Sequence, residues 1–342
     1  MSRPWTRRSA IAGMGAAVAA ASAASAASAA RAAQAPQPAP SAIQRLDPAL
    51  DALINADAPI TRVMEGFRLS EGPCWVGGAD GYLLVSDVPG NVIRRWSARD
   101  GQSDFLAPSG IGVPSVMIRE PGSNGLILAR GAVVMADGGN RVLARLDLRT
   151  RTKRVIASHF EGRRLNSPND LVAHRDGSIY FTDPANGLTG RLESPWRELD
   201  FTGVMRLAPD GTVTAVDRTL ALPNGIALSP DGRTLYASDW GVGWFAYSLD
   251  PAGRATDKRP FAPGVVTAAG GPAADGFKVD STGHVWASSR DGLSIFDPSG
   301  KRIGVIGPGR VSNCEFGADG YLYVCSGPEV VRVRVRARKI RL

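Results

Sequence analysis

The stretch Gly81-Tyr-Leu-Leu-Val-Ser-Asp87 joins a turn-ending glycine to a short apolar run, and it returns five times along the chain. The other copies are Gly131-Ala-Val-Val-Met-Ala-Asp137, Gly177-Ser-Ile-Tyr-Phe-Thr-Asp183, Gly232-Arg-Thr-Leu-Tyr-Ala-Ser-Asp239, Gly283-His-Val-Trp-Ala-Ser288 and Gly320-Tyr-Leu-Tyr-Val-Cys325. The glycines lie 50, 46, 55, 51 and 37 positions apart, and a second strand-like run such as Val92–Trp96 or Val142–Leu146 trails each copy. A period of roughly 40–50 residues in a strand-rich chain identifies small sheets arrayed around an axis, each covering the apolar face of its neighbour. The expected fold is all-β, a six-bladed β-propeller over residues 59–342 with a central metal site. A two-domain α/β arrangement fails for want of helical periodicity. The 55-residue unit leaves room for a loop near 188–199, carrying Trp196, that could overhang one mouth as a lid.

Seven to ten positions before each repeat glycine stands a side chain that carries oxygen: Glu71, Asn124, Asn169, Asn224, Asp275 and Asn313. Apolar strands follow, as in Asn224-Gly-Ile-Ala-Leu228 and Asp275-Gly-Phe-Lys-Val279, so each polar residue begins an innermost strand. Equivalent positions in a ring converge on its axis. Any single Asn-Gly or Asp-Gly pair reads as a turn, but six in register read as a cation site. Oxygen donors without sulfur or imidazole suit a hard ion, and a ring with flexible ligand number suits calcium better than strictly octahedral magnesium. Glu71 and Asp275 balance a 2+ charge, and Asp170 stands ready to orient a ligand or a bound water.

Gly 40 and Pro 24 spread through 342 residues suit many short strands joined by tight turns. The net charge of +8 owes four units to Arg3, Arg7, Arg8 and Arg31, leaving about +4 once residues 1–35 are removed. Arg7-Arg8 ahead of an alanine-rich apolar run marks residues 1–35 as a twin-arginine export signal. The expectations are a partner in the twin-arginine machinery, a periplasmic or secreted mature protein, and no stable membrane insertion after cleavage. Residues 36–58 read as a Pro/Ala-rich linker. The last residues are basic, but Val331-Arg-Val-Arg-Val-Arg336 alternates as a strand with one solvated face does, and nucleic acid is not an expected partner. Cys74, Cys314 and Cys325 lack Cys-x-x-Cys spacing, which leaves a Cys314–Cys325 bridge open. His159, His174 and His284 fall beside turns or between repeats, away from any nucleophile pattern.

Glu71-Gly-Pro-Cys-Trp75, Asn166-Ser-Pro-Asn-Asp-Leu171, Tyr180-Phe-Thr-Asp-Pro184, Pro223-Asn-Gly-Ile226 with Ser229-Pro-Asp-Gly232, and Asp275-Gly-Phe-Lys-Val-Asp280 together carry a resemblance. They resemble the senescence-marker-protein, gluconolactonase and luciferin-regenerating-enzyme-like (regucalcin-like) propellers over roughly residues 65–330. The resemblance implies one divalent metal ion, calcium first with zinc, manganese or magnesium as alternatives, and hydrolysis of a small-molecule sugar lactone such as gluconolactone. It places Glu71, Asn169, Asn224 and Asp275 as metal ligands and Asp275 as the catalytic general base. Of the two residues left over, Asn124 is placed beside the substrate, and the role of Asn313 stays open. The chain departs from the family pattern at Ala136–Asn140, where relatives carry a histidine, and at Pro184–Gly187, where they carry aromatic character. Two rivals stand beside this reading: phosphotriester or other-lactone hydrolysis at the same ion, and a noncatalytic propeller that calcium merely stiffens.

Overall fold

The structure is a computed structural model that describes residues 43–240, 242–263, 275–289, 291–307 and 309–340. The export signal expected over 1–35 and the first residues of the expected linker lie outside the described residues.

Among the described residues, six antiparallel sheets of four or five strands follow one another along the chain, with a two-stranded ribbon, His159–Phe160 paired with Arg163–Arg164, after the second. Blade 1 comprises Ser70–Val76, Tyr82–Asp87, Val92–Ser97 and Gly101–Leu106, and blade 2 comprises Leu126–Ala129, Ala132–Asp137, Val142–Leu146 and Lys153–Ala157. Blade 3 comprises Leu171–Ala173, Ile179–Asp183, Gly203–Leu207 and Val213–Asp217. Blade 4 comprises Pro223–Leu228, Thr234–Asp239, Gly243–Leu249 and Ala255–Phe261. Blade 5 comprises Phe277–Val279, Val285–Ser289, Gly292–Phe296 and Arg302–Ile306, and blade 6 contains Asn313–Phe316, Tyr321–Ser326 and Glu329–Arg334. The repeat glycine opens the second strand of each blade. That strand is apolar nearly throughout because adjacent blades cover both of its faces.

Six apolar clusters fill the blade interfaces. Leu84 and Ile93 of blade 1 meet Val133 and Met135 of blade 2, and Val134 and Leu143 meet Phe181 and Met205 of blade 3. Tyr180 and Val204 meet Leu235 and Tyr247 of blade 4, and Tyr236 and Trp244 meet Phe277 and Phe296 of blade 5. Trp286 and Ile295 meet Phe316 and Val324 of blade 6, and Tyr323 and Val330 return to Trp75 and Leu83 of blade 1. The circle therefore closes on itself, and each sheet is stable only through its two neighbours.

Closure uses both ends of the chain. Ile60–Glu65 forms the outer strand of blade 6 against Glu329–Arg334, with Ile60 opposite Val333. Ile43–Arg45 adds a fifth strand to blade 5, Ile43 lying opposite Ile306. Between them Asp47 accepts the Ala49 N–H at 2.8 Å and starts a 3₁₀ turn over Pro48–Ala52. Leu50, Leu53 and Ile54 are buried against blades 5 and 6. The linker expected over 36–58 is thus, from residue 43 onward, part of the propeller: proline and alanine suggested a tether, but three large apolar side chains on one side of the turn require cover. In the last strand, Val331 and Val333 are buried while Arg332 lies over the Tyr321 ring at 4.3 Å.

Candidate active site

The six polar residues at the heads of the inner strands form a continuous belt. Ser86 Oγ donates to the Asn124 carbonyl at 2.7 Å, the Gly125 N–H to the Asn169 carbonyl at 2.7 Å, and Thr182 Oγ1 to the Asn224 carbonyl at 2.5 Å. Ser238 Oγ donates to the Asp275 carbonyl at 3.0 Å, the Gly276 N–H to the Ser312 carbonyl at 2.7 Å, and Ser312 Oγ to the Ser70 carbonyl at 2.7 Å. Every contact crosses from one blade to the next, so the belt fixes the heads of the strands to one another. It also explains the glycines that follow the polar residues. A Cβ on Gly72 would stand 2.0 Å from the Asn124 carbonyl oxygen, and one on Gly225 would stand 2.4 Å from that of Asp275. The Asn-Gly and Asp-Gly pairs are close-approach points between blades.

The acid that ends the second strand organises the loop entering the belt. Asp87 accepts the N–H groups of Arg68 and Leu69 ahead of Glu71, and Asp183 those of Asn166 and Ser167 ahead of Asn169. Asp239 accepts those of Ala221 and Leu222 ahead of Asn224. These acids stood in the repeat, but their partners lie in loops that only the folded ring brings near.

Within the belt the structure unites Glu71, Asn224, Asp275 and Asn313. Glu71 is buried, and its Oε2 accepts from the Gly72 N–H at 3.0 Å and from Asn313 Nδ2 at 3.3 Å. Burial, followed by the nearby Asp275 charge, pushes its carboxyl well above the usual range. Asp275 keeps a partial solvent face. Burial pushes its carboxyl up to about 7; the Asp170 and Glu120 charges add to this, while Arg310 and a hydrogen bond from Asn224 oppose it. Asn124 and Asn169 are buried in the belt, at 9% and 7% exposure.

Asp170 and Asn313 meet each other and Lys278. Asn313 Nδ2 lies 3.5 Å from Asp170 Oδ2, and its Oδ1 accepts from Lys278 Nζ at 3.2 Å. Lys278 follows Asp275 by three positions on an inner strand whose flanking Phe277 and Val279 are core, a period-2 signal that sends it toward the axis. Glu120 and Arg310, from the connections between blades 1 and 2 and blades 5 and 6, carried no sequence signal; both bear on Asp275 only through the fold. The start of the 188–199 segment is tied to the blade 1–2 connection: Leu188 bridges to Ile118, and the Thr189 N–H donates to the Met117 carbonyl at 2.9 Å.

The three cysteines are free and buried. Cys314 faces the core between blades 5 and 6, and Cys325 the core between blades 6 and 1, so they occupy opposite faces of one sheet and form no bridge. His174 and His284 pair with Asp176 and Asp280 beside turns. Among the described residues no three His, Cys, Asp or Glu side chains gather as a metal cluster. The donors of the belt are two carboxylates mixed with carboxamides, an all-oxygen set. Two carboxylates, buried Glu71 raised by the charge of half-buried Asp275, fit a hard divalent ion, which supplies the counter-charge they lack. A cavity of about 880 Å³ opens elsewhere, lined by Leu171, Ile226, Lys278, Glu315 and Lys339, and none of the belt residues lines it.

Residues 69–327 match the model of the SMP-30/Gluconolactonase/LRE-like region. The chain is 39% identical over 312 residues to a gluconolactonase of Zymomonas mobilis, covering 86% of each chain. It is 27% identical over 260 residues to the pentonolactonase XacC of Haloferax volcanii, covering 72% of this chain and 76% of that one. A solved gluconolactonase from Xanthomonas campestris superposes with a TM-score of 0.75 at 31% identity, over 90% of this chain and 99% of that one. This chain belongs to the SMP-30/gluconolactonase/LRE-like family.

Proposed function

We infer that the chain is a lactone hydrolase that opens a sugar lactone such as gluconolactone to the aldonic acid, with one divalent cation, calcium first, held at the belt. The lactonase assignment follows from the gluconolactonase and pentonolactonase likeness. The observation that carries the site is the pair of carboxylates, buried Glu71 and half-buried Asp275, gathered with Asn224 where Asp275 still meets solvent. Glu71, Asn169, Asn224 and Asp275 would hold the ion. When bound, such an ion supplies Lewis-acid polarisation of the lactone carbonyl and stabilises the charge that develops there.

The remaining chemistry belongs to the chain. Asp275 takes the proton of the attacking water on a carboxylate oxygen and returns it to the ring oxygen that leaves. Asn224 aims that carboxylate, and the Gly72 N–H and Asn313 hold Glu71 in place. Asn124 stands beside the substrate. The test is proton release from glucono-1,5-lactone and other aldonolactones by metal-stripped protein with calcium, magnesium, manganese or zinc restored. Metal-dependent turnover is expected. Folded protein that binds calcium and turns over no lactone would be a binding propeller, and a much faster organophosphate reaction would make it a phosphotriesterase.

Export through the twin-arginine route to the periplasm or beyond belongs to the same proposal, resting on Arg7-Arg8 and the alanine-rich run. Replacing both arginines by lysine should leave the precursor inside the cell, and unchanged export would refute it.

A further inference from the structure

We propose that the Lys278 ammonium is a resident cation of the channel, limiting the belt to one divalent ion. This rests on the belt being a cation site, as argued above. Asn313 Nδ2 stands between two carboxylates, 3.3 Å from Glu71 Oε2 and 3.5 Å from Asp170 Oδ2, and the Asp275 and Asp170 charges both act on Glu71. Lys278 Nζ lies 3.8 Å from Asp170 Oδ2 and 3.2 Å from both the Asn313 Oδ1 and the Phe277 carbonyl oxygen. Further along the axis Glu315 is already paired, its Oε2 accepting from Lys339 Nζ at 3.0 Å. Glu120 and Arg310, which also bear on Asp275, offset each other, so Glu71, Asp170 and Asp275 against the Lys278 ammonium leave two negative charges, which one divalent ion neutralises.

Without the ammonium, Asp170 Oδ2, Asn313 Oδ1 and the Phe277 carbonyl would stand as three oxygens around an uncompensated charge. That is a donor set for a second hard cation. Lys278 also lines the cavity of about 880 Å³, so this position borders a space that an ion can enter. Burial works against the ammonium, yet Asp170 and Glu315 hold its pKa above the ordinary lysine value, so it stays charged. Its ammonium also draws on the carboxamide that donates to Glu71, so the same residue positions a ligand and supplies the counter-charge.

The experiment is calcium titration of metal-stripped, full-length protein by calorimetry, with folding checked by circular dichroism. Wild type should saturate at one ion per chain and Lys278→Asp at two. Lys278→Met/Asp170→Asn, which removes both charges, should return to one ion. Should Lys278→Asp fail to fold, Lys278→Met carries the test: losing the repulsion between ammonium and ion should tighten calcium binding at least tenfold. A Lys278→Asp protein that stops at one ion with wild-type affinity, or Lys278→Met with unchanged affinity, overturns the proposal while leaving the belt site intact. Two ions on wild type overturn it as well. No calcium on folded wild type would overturn the belt site itself and this proposal with it.

Discussion

At the residue scale, Asp275 and Glu71 carry two predictions. Asp275→Asn keeps the shape and removes the proton acceptor, so kcat on gluconolactone at saturating calcium should fall about 100-fold or more with the fold retained; near-normal turnover would remove Asp275 from that role. The second concerns pH. With both carboxyls raised in the ion-free fold, that of Asp275 to about 7, the folded chain binds more protons than the unfolded chain between the ordinary carboxylate range and about neutrality. Stability of the ion-free protein must therefore fall as pH rises through that window. Calcium has to displace these protons, so its affinity should climb from pH 5 to pH 8, and the gap in Tm between loaded and stripped protein should widen. A gap independent of pH would mean that the ion binds elsewhere. The identity of these two acids was legible because they broke a run of amides at one repeated offset. The contact of Asn313 with Lys278 was not, since it depends on a charge three positions beyond Asp275 on a different blade.

At the element scale, the period was plain in the sequence because the second strand of each blade is buried on both sides and must be apolar throughout. What joins the second strand to the belt was hidden, because an acid at a strand end looks like any turn residue until its loop is folded beside it. Asp239 shows the cost of losing that join. Its Oδ1 accepts the Leu222 N–H at 2.6 Å and its Oδ2 the Ala221 N–H at 3.2 Å, both just ahead of Asn224. Asp239→Ala leaves those two part-buried donors without protein partners, at about 1 kcal/mol each, toward the low end of the range for a lost hydrogen bond. Denaturant unfolding should show a loss of roughly 1–3 kcal/mol, and calcium affinity should fall with it because Asn224 loses its anchored approach. A variant as stable as wild type would show that the loop holds its path without the acid.

At the scale of the whole molecule, the ring must be fastened somewhere, and here both chain ends meet in blade 6 through the pairing of Ile60–Glu65 with Glu329–Arg334. The sequence reading placed the start of the propeller at residue 59, just ahead of that strand, and assigned what precedes it to a tether. The packing moves the boundary. Leu50 and Ile54 are fully buried and Leu53 is 4% exposed, all in the core that also holds Trp286, Phe316 and Val331. Burying one such side chain contributes about 1.5–3 kcal/mol, and compactness of the unfolded chain trims the sum, so the three together supply roughly 4–8 kcal/mol. That is comparable to the whole margin of an ordinary domain, about 5–15 kcal/mol. A chain beginning at residue 59 retains the closing strand but leaves this interface bare. It should melt at least ~10 °C below a chain beginning at residue 43 and expose apolar surface to a hydrophobic dye. Because blades 5 and 6 supply Asp275 and Asn313 to the belt, its calcium affinity should drop in parallel. Equal melting temperatures would return residues 43–58 to the status of a tether, and unequal melting with equal calcium affinity would uncouple the outer fastening from the belt.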